Sequence, residues 1–454
     1  MKRSVLHWLA ISALLIAGSA SQAETRPQYG GSLHIAMRLS RQSLDPGDIS
    51  DTEGGRQLVG LIFDTLVTMD VGGRPNSGLA QSWQSDPGGR RVEFRLRPNL
   101  KFHDGSSVTS EIVSASLSRS NPAWKIAADG DRISIESGNQ VSELLQELAL
   151  PRNAIAKRDG TGSVSGTGAF RVLEWQPAKR LALVANEDYW NGRPFLDQIA
   201  IDMGVSYRDQ MNALESGRAD LVEVAPEQIH HLPQRRYELR RSNSIELIAL
   251  KFAKDAASDR EKTAREALRL SIERQSMHNV LLQGAGQPAA SLLPTWMSGY
   301  GFVFPTEADR ARAQQLRDQI PGVPSFELGY EGNDPLMRLL AERVALNAKD
   351  AGLWVQLKPS TTDLRLVRIQ LVSPDPWISL QVLSRELGLP PVVSNGQTID
   401  QLFAFEQSAL TSGHVIPLFH VPIAFASITN LHDWELTTSG ALNLASAWLK
   451  SSQP

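Results

Sequence analysis

The chain contains no cysteine, and for a sequence that opens like an exported one this is the strongest constraint on its fold. Disulfides, thiolate metal sites, cysteine nucleophiles and lipid attachment to an N-terminal cysteine are all excluded. Lys2 and Arg3 precede a largely apolar run from Val5 to Ala17, followed by the small residues Ser21 and Ala23 around Gln22. This is the layout of a secretory signal peptide, with cleavage expected after Ala23. The apolar run, interrupted by His7 and Ser12, is too short for a membrane span of about 20 residues. An exported protein without disulfides depends on the size of its core. At 454 residues the chain is longer than the roughly 250–300 residues that one core serves, so at least two lobes are expected.

Helical and strand periods alternate along the chain. Ser32 to Met37 follows Gly30-Gly31 as a first strand, and Gln57 to Val67 carries Leu58, Leu61, Ile62 and Leu66 at helical spacing. Arg91 to Arg97 alternates apolar and charged residues, which predicts a strand with one buried face. Thr109 is the expected cap of a helix containing Ile112, Val113 and Leu117. Strands are predicted over Arg132–Glu136, Ala169–Trp175, Arg180–Ala185, Ile199–Asp202 and Ile245–Phe252, with helices over Tyr207–Ser216, Asp259–Glu273 and Leu336–Lys349. The alternation is that of an α/β protein.

Searching for chemistry yields little. The net charge is −3, and the densest basic stretch, with Arg235, Arg236, Arg240 and Arg241, is interleaved with Glu227, Glu238 and Glu246. Neither feature is a footprint for nucleic acid. No metalloprotease, hydrolase-elbow or phosphate-loop motif occurs, so no catalytic residues, metal ligands or cofactors are assigned. His230-His231 is an adjacent pair on a segment read as exposed, and Gly284-Ala285-Gly286 lacks the third glycine of a dinucleotide loop. Asp45 and Asp104 lie beside Pro46 and Gly105, where a carboxylate commonly bonds its own backbone.

Several segments, taken in order, resemble the extracellular solute-binding protein family 5, which includes dipeptide, oligopeptide and nickel receptors. They are Gly30-Gly31-Ser32-Leu33 with Leu44-Asp45-Pro46, Leu79-Ala80-Gln81-Ser82-Trp83, and the run from Phe94 to Gly105. Further on come Gly166 to Phe170, Asn186 to Trp190, Ala213 to Asp220, Asp375-Pro376 and Ile416 to Phe419. The resemblance implies a two-lobe α/β periplasmic-binding-protein fold (type II, cluster C-like) with a hinge and a cleft that closes on its ligand. It implies lobe one from residue 28 to 245 plus 416 to 454, with a reduced extra subdomain at about 119–165, and lobe two from 246 to 415. It also implies a periplasmic monomer that binds a small-molecule or peptide ligand and meets an ABC permease in the inner membrane. Binding, and not turnover, is the expected function.

The sequence departs from the family where its peptide receptors commonly carry a Gly-Trp and an Asp ahead of the Asp-Pro pair. Here the stretch is Ile369-Gln370-Leu371-Val372-Ser373-Pro374, without tryptophan or acid. A buried ammonium needs a paired charge, so Asp375 is either a substitute anchor or a turn residue before Pro376. Ligands of open α/β sheets sit beyond the carboxyl ends of strands, which makes Arg38, Ser40, Tyr330, Asp375 and Trp377 the candidate cleft residues. The rival is a non-transport sensor on the same fold that has lost the peptide anchor.

Overall fold

A computed structural model describes residues 26–48, 56–70, 73–86, 91–138, 141–160, 162–233, 235–392 and 398–450; the expected leader and its cleavage point lie outside them. An eleven-stranded mixed sheet organises the molecule. Ten of its strands run across it in the order Phe170–Gln176, Arg180–Ala185, Gln198–Asp202, Ser32–Ala36, Leu221–Val224, Val415–Ile428, Tyr237–Phe252, Leu364–Gln370, Ser325–Gly329 and Trp354–Leu357. Ser32–Ala36 is parallel to both of its neighbours, and Ser325–Gly329 is parallel to both of its own. Within the sheet the two parallel groups are joined through the long central strands, which are antiparallel to each other.

Those central strands hold 16 and 14 residues, about 50 Å of extended chain in the longer. Their outer ends pair with different partners. Leu221–Val224 lies along Ala424–Ser427, whereas Leu364–Gln370 lies along Glu246–Phe252. The ladder between the central strands shifts register at Arg241/Ser244, Ser244/Glu246 and Ile248/Ala249, and such bulges bend and twist a ribbon. The sequence placed the first of these strands at Ile245–Phe252, but it begins at Tyr237. Its first half, Tyr-Glu-Leu-Arg-Arg-Ser-Asn-Ser, is polar and bulged, so no two-residue apolar period marks it.

Three large apolar cores stand out among the described residues, beside two smaller ones. The first gathers Leu33, Ile35, Leu61, Phe170, Ile199 and Phe425, and runs on without a break into Leu371, Trp377 and Leu380. The second holds Ile248, Leu250, Leu268, Leu340, Leu366 and Phe419. The third, with Val92, Phe94, Val113, Ile133 and Leu145, lies under a four-stranded antiparallel sheet. The segment 119–165 contributes Lys125–Asp129 and Arg132–Glu136 to that sheet, beside Ala80–Ser85 and Arg91–Leu96. Val92, Phe94 and Leu96 are buried while Arg91 and Arg95 are exposed, as the alternation predicts.

The first helix, Arg56–Ile62, is shorter than its apolar spacing suggests. The carbonyl of Ile62 accepts from the Gly168 amide at 2.9 Å, and a Cβ at Gly166 or Gly168 would lie within 2.0 and 2.5 Å of Ile62 backbone atoms. Only glycine tolerates that approach. Beyond it, the buried Asp64 carboxylate accepts from Thr167, Tyr189 and Trp190 at 2.9–3.1 Å, so the Gly-Thr-Gly and Asp-Tyr-Trp segments close around one acid. Burial pushes the Asp64 carboxyl up, against the pull of those hydrogen bonds.

Candidate functional site

The carboxyl ends of both parallel groups converge on one polar cluster. Arg38 follows Ser32–Ala36, Glu223 lies in Leu221–Val224, and Glu227 sits in the short turn after it. Tyr207 opens the helix after Gln198–Asp202. From the other group come Arg368, near the end of Leu364–Gln370, and Glu331 and Asp334, in the loop after Ser325–Gly329. Glu246 pairs with Gln370 across the ladder, which puts it diagonal to Arg368 on the same face.

The contacts cross from one group to the other. Arg38 Nη1 lies 3.3 Å from Glu331 Oε1 and 3.7 Å from Asp334 Oδ2. Arg368 Nη2 lies 3.5 Å from the same Asp334 oxygen, and Arg368 Nη1 donates to the Tyr207 hydroxyl at 3.4 Å. The Arg38 guanidinium stands 5.4 Å from the Tyr207 ring centroid, within cation–π range. Beneath it the Arg38 backbone amide donates to Glu223, whose carboxylate also accepts from buried Gln210 at 3.2 Å.

Burial works against the charge of Arg38, but Tyr207, Glu223, Asp334 and Glu331 outweigh it and raise its pKa. Arg368 behaves alike, its desolvation overcome by Glu246, Tyr207 and Asp334. Both therefore stay cationic. Burial also pushes the Glu227 and Glu246 carboxyls up, and raises the Tyr207 phenol against the pull of the two arginines. Arg38 Nε, Arg368 Nε and Nη2, Asp334 Oδ2 and Glu227 Oε2 are buried without a hydrogen-bond partner. Native interiors rarely leave such groups open, and here five of them stand together in one cluster.

Among the five residues singled out from sequence, Arg38 stands in this cluster and Tyr330 directly precedes Glu331, its own side chain packed in the second core. Ser40 is exposed two residues beyond Arg38. Asp375 is the N-cap of Pro376–Leu387, its Oδ1 accepting from the amides of Trp377 and Ile378 at 2.9 and 3.0 Å. Trp377 is buried in the first core. Asp45 and Asp104 accept from Gly47 and Ser106 amides at 2.8 and 2.9 Å, in keeping with turn residues. The sequence gives no candidate at Tyr207, Glu223, Glu227, Glu246, Glu331, Asp334 or Arg368. A signal was present for two of them: Glu246 stands between Ile245 and Leu247, and Arg368 between Val367 and Ile369, in strands, and an ionisable side chain inside a sheet calls for a partner.

A cavity of about 670 Å³ opens at the far end of the strand that carries Glu246, walled by Phe252, Lys254, Arg265, Phe326 and Asp363. Arg265 there is already engaged by Glu261 and by the carbonyls of Lys254 and Gly413. It lies at the amino ends of Leu364–Gln370 and Ser325–Gly329, the ends where α/β ligands are not bound, so the charged cluster is the candidate site.

Two sheet halves joined by a bent ribbon, with a polar cleft at the strand ends of both, define a two-lobe α/β binding protein of the periplasmic type. The chain belongs to the family described as bacterial extracellular solute-binding proteins, family 5 (middle region), which residues 74–371 match. It is 26% identical over 308 residues to the nickel-binding protein NikA of Staphylococcus aureus, an alignment covering 64% of this chain and 60% of that protein. Over 392 residues it is 24% identical to DdpA of Escherichia coli, described as a probable D,D-dipeptide-binding periplasmic protein, with 79% and 76% covered. The crystal structure of the Staphylococcus NikA in complex with Ni(L-His)2 superposes with a TM-score of 0.80 at 18% identity, covering 92% of this chain and all of that one.

Proposed function

We propose that the protein is the substrate-binding component of an ABC importer, exported to the periplasm behind a cleaved signal peptide. It captures a small solute between its lobes and delivers it to an inner-membrane permease, as a monomer, without turnover and without nucleic acid as a partner. In this reading lobe one comprises residues 28–245 with 416–454, carrying a reduced subdomain at about 119–165, and lobe two comprises 246–415. The register shifts between Arg241 and Ala249 are where the ribbon flexes.

One observation carries the reading: buried polar groups from the strand ends of both sheet halves meet with their hydrogen bonds incomplete. A receptor whose lobes close on a ligand needs such groups on both walls and no nucleophile. Arg38 is the cleft residue this favours among those read from sequence. Asp375 is engaged as a helix cap, which favours its turn role over a ligand anchor, so a peptide ammonium has to find its counter-charge in the cluster.

Thermal-shift screening with di- and tripeptides, opines, sugars, amines and metal chelates tests the function. A true ligand at 100 times its dissociation constant adds about 2.7 kcal/mol, and small-angle scattering should show the lobes closing. A chain that binds none of a wide solute collection would favour the sensor reading.

A further inference from the structure

The cleft cluster is not neutral. Two guanidinium groups, Arg38 and Arg368, face five carboxyls, Glu223, Glu227, Glu246, Glu331 and Asp334, each within electrostatic reach of another member. Fully ionised, the set would carry 2 − 5 = −3, and with Glu227 and Glu246 left out, because burial pushes their carboxyls up, it still carries 2 − 3 = −1.

The arginines do not use up the acids. Asp334 is 1% exposed, and its Oδ2 accepts no hydrogen bond, the nearest guanidinium nitrogens standing off at 3.5 and 3.7 Å. Its other oxygen is occupied by the amides of Leu336 and Met337, so the cap holds the open oxygen in a fixed direction. Glu227 Oε2 is likewise buried without a donor. A carboxylate oxygen left without a donor in a low-dielectric site carries a desolvation penalty that a ligand bringing a donor and a positive charge removes. An ammonium offers three such donors and a guanidinium five, with no acceptor. Among the described residues no group of three His, Asp or Glu side chains is arranged to hold a metal ion, and the carboxyls are spread along the cleft.

Resting on the receptor reading, we propose that the ligand is a small organic cation, a solute bearing more ammonium or guanidinium charge than carboxylate, whose cationic group takes the open positions on Asp334 Oδ2 and Glu227 Oε2. Any carboxylate it carries is met by the unpartnered Nε and Nη2 of Arg368. The surplus negative charge of the cleft makes it a poor site for solutes of net negative charge.

The test is calorimetric titration and thermal shift on the purified full chain at low ionic strength, with spermidine, agmatine and L-arginine against L-glutamate, citrate, sucrose and nickel chloride. At least one of the first three is expected to bind and to raise the unfolding temperature. Asp334→Asn, which keeps the capping oxygen, and Glu227→Gln are each expected to weaken that binding tenfold or more. Glu327→Gln, at an exposed acid paired with Lys358, should leave it unchanged. The inference is overturned if no amine probe binds, if amine binding survives both cleft variants, or if nickel chloride binds with the same dependence on Asp334. Binding of glutamate, citrate or sucrose that Arg368→Gln abolishes would overturn the cationic ligand while upholding the receptor. Only binding indifferent to every cleft variant, or none across a wide solute screen, tells against the receptor itself.

Discussion

Two helices begin with the same dipeptide, and the contrast between them explains where the site lies. At Asp334-Pro335 and Asp375-Pro376 the aspartate is the N-cap, one carboxylate oxygen accepts from two amides, and proline occupies the first turn. The pattern follows from sequence, since aspartate satisfies orphan amides and proline has none to offer. The second oxygens differ. That of Asp334 is buried between two arginines, whereas Asp375 is half-buried and no guanidinium among the described residues pairs with it. The Asp334 helix follows the carboxyl end of a parallel strand and faces Arg38 of the other sheet half. The second packs its first turn, through Trp377, into an apolar core. The same local chemistry is therefore only a cap in one place and part of a charged cleft in the other.

The largest effect is expected from Asp334→Ala, which removes the cap and leaves Arg38 and Arg368 with a buried partner missing. Breaking a buried pair costs about 3–5 kcal/mol, measurable as a loss of unfolding free energy in urea. If Asp375→Ala costs as much, the distinction between the two aspartates is wrong.

A third acid sharpens the comparison from the opposite side. Glu406 is fully buried, accepts from the Leu293 amide and the Tyr300 hydroxyl at 2.7 and 2.6 Å, and no cation offsets its desolvation. Burial pushes its carboxyl up to about 7, against the pull of those hydrogen bonds. The folded state thus holds the proton more tightly than the unfolded chain. The stabilisation is fully present below the ordinary value of 4.5 and is lost as pH rises through about 7, a change on the order of 3 kcal/mol. Denaturation midpoints at both ends of that window should show the decline, and Glu406→Gln should flatten it. An unchanged slope in that variant would place the proton elsewhere.

Asp375→Ala should cost only about 1 kcal/mol, the loss of a cap. Smallest of all is Asp375→Asn, which keeps an accepting oxygen and is expected to shift the melting temperature by no more than about 1–2 °C. It should also leave binding of any cationic solute intact. A marked loss of binding would restore Asp375 as the ligand anchor.

Much of the fold was legible. The alternation in Arg91–Leu96, the cap at Thr109 and the stop at Gly217, whose φ is +70°, follow from local rules that need no partner. The helices Pro376–Leu387 and Ile399–Thr411 are not among the segments that the periodicity predicts. The site was legible at Arg38 alone among the cluster's members, because a residue just past a strand can be placed from one strand. Arg368, Glu246 and Asp334 gain their meaning from pairings distant in sequence, from the 34 residues between Asp334 and Arg368 to nearly 300 between Arg38 and Asp334.

By itself the sequence determined that the protein carries no disulfide, that it is built of alternating strands and helices, and which family segments it holds in order, because periodicity, caps and motif order are properties of neighbours along the chain. Only the tertiary structure decided that two bulged strands tie the sheet halves together, that one Asp-Pro cap faces a cleft while the other faces a core, and that five carboxyls meet two arginines there. Those facts depend on strand register and on which ends of distant strands converge, and burial turns such convergence into electrostatic demand.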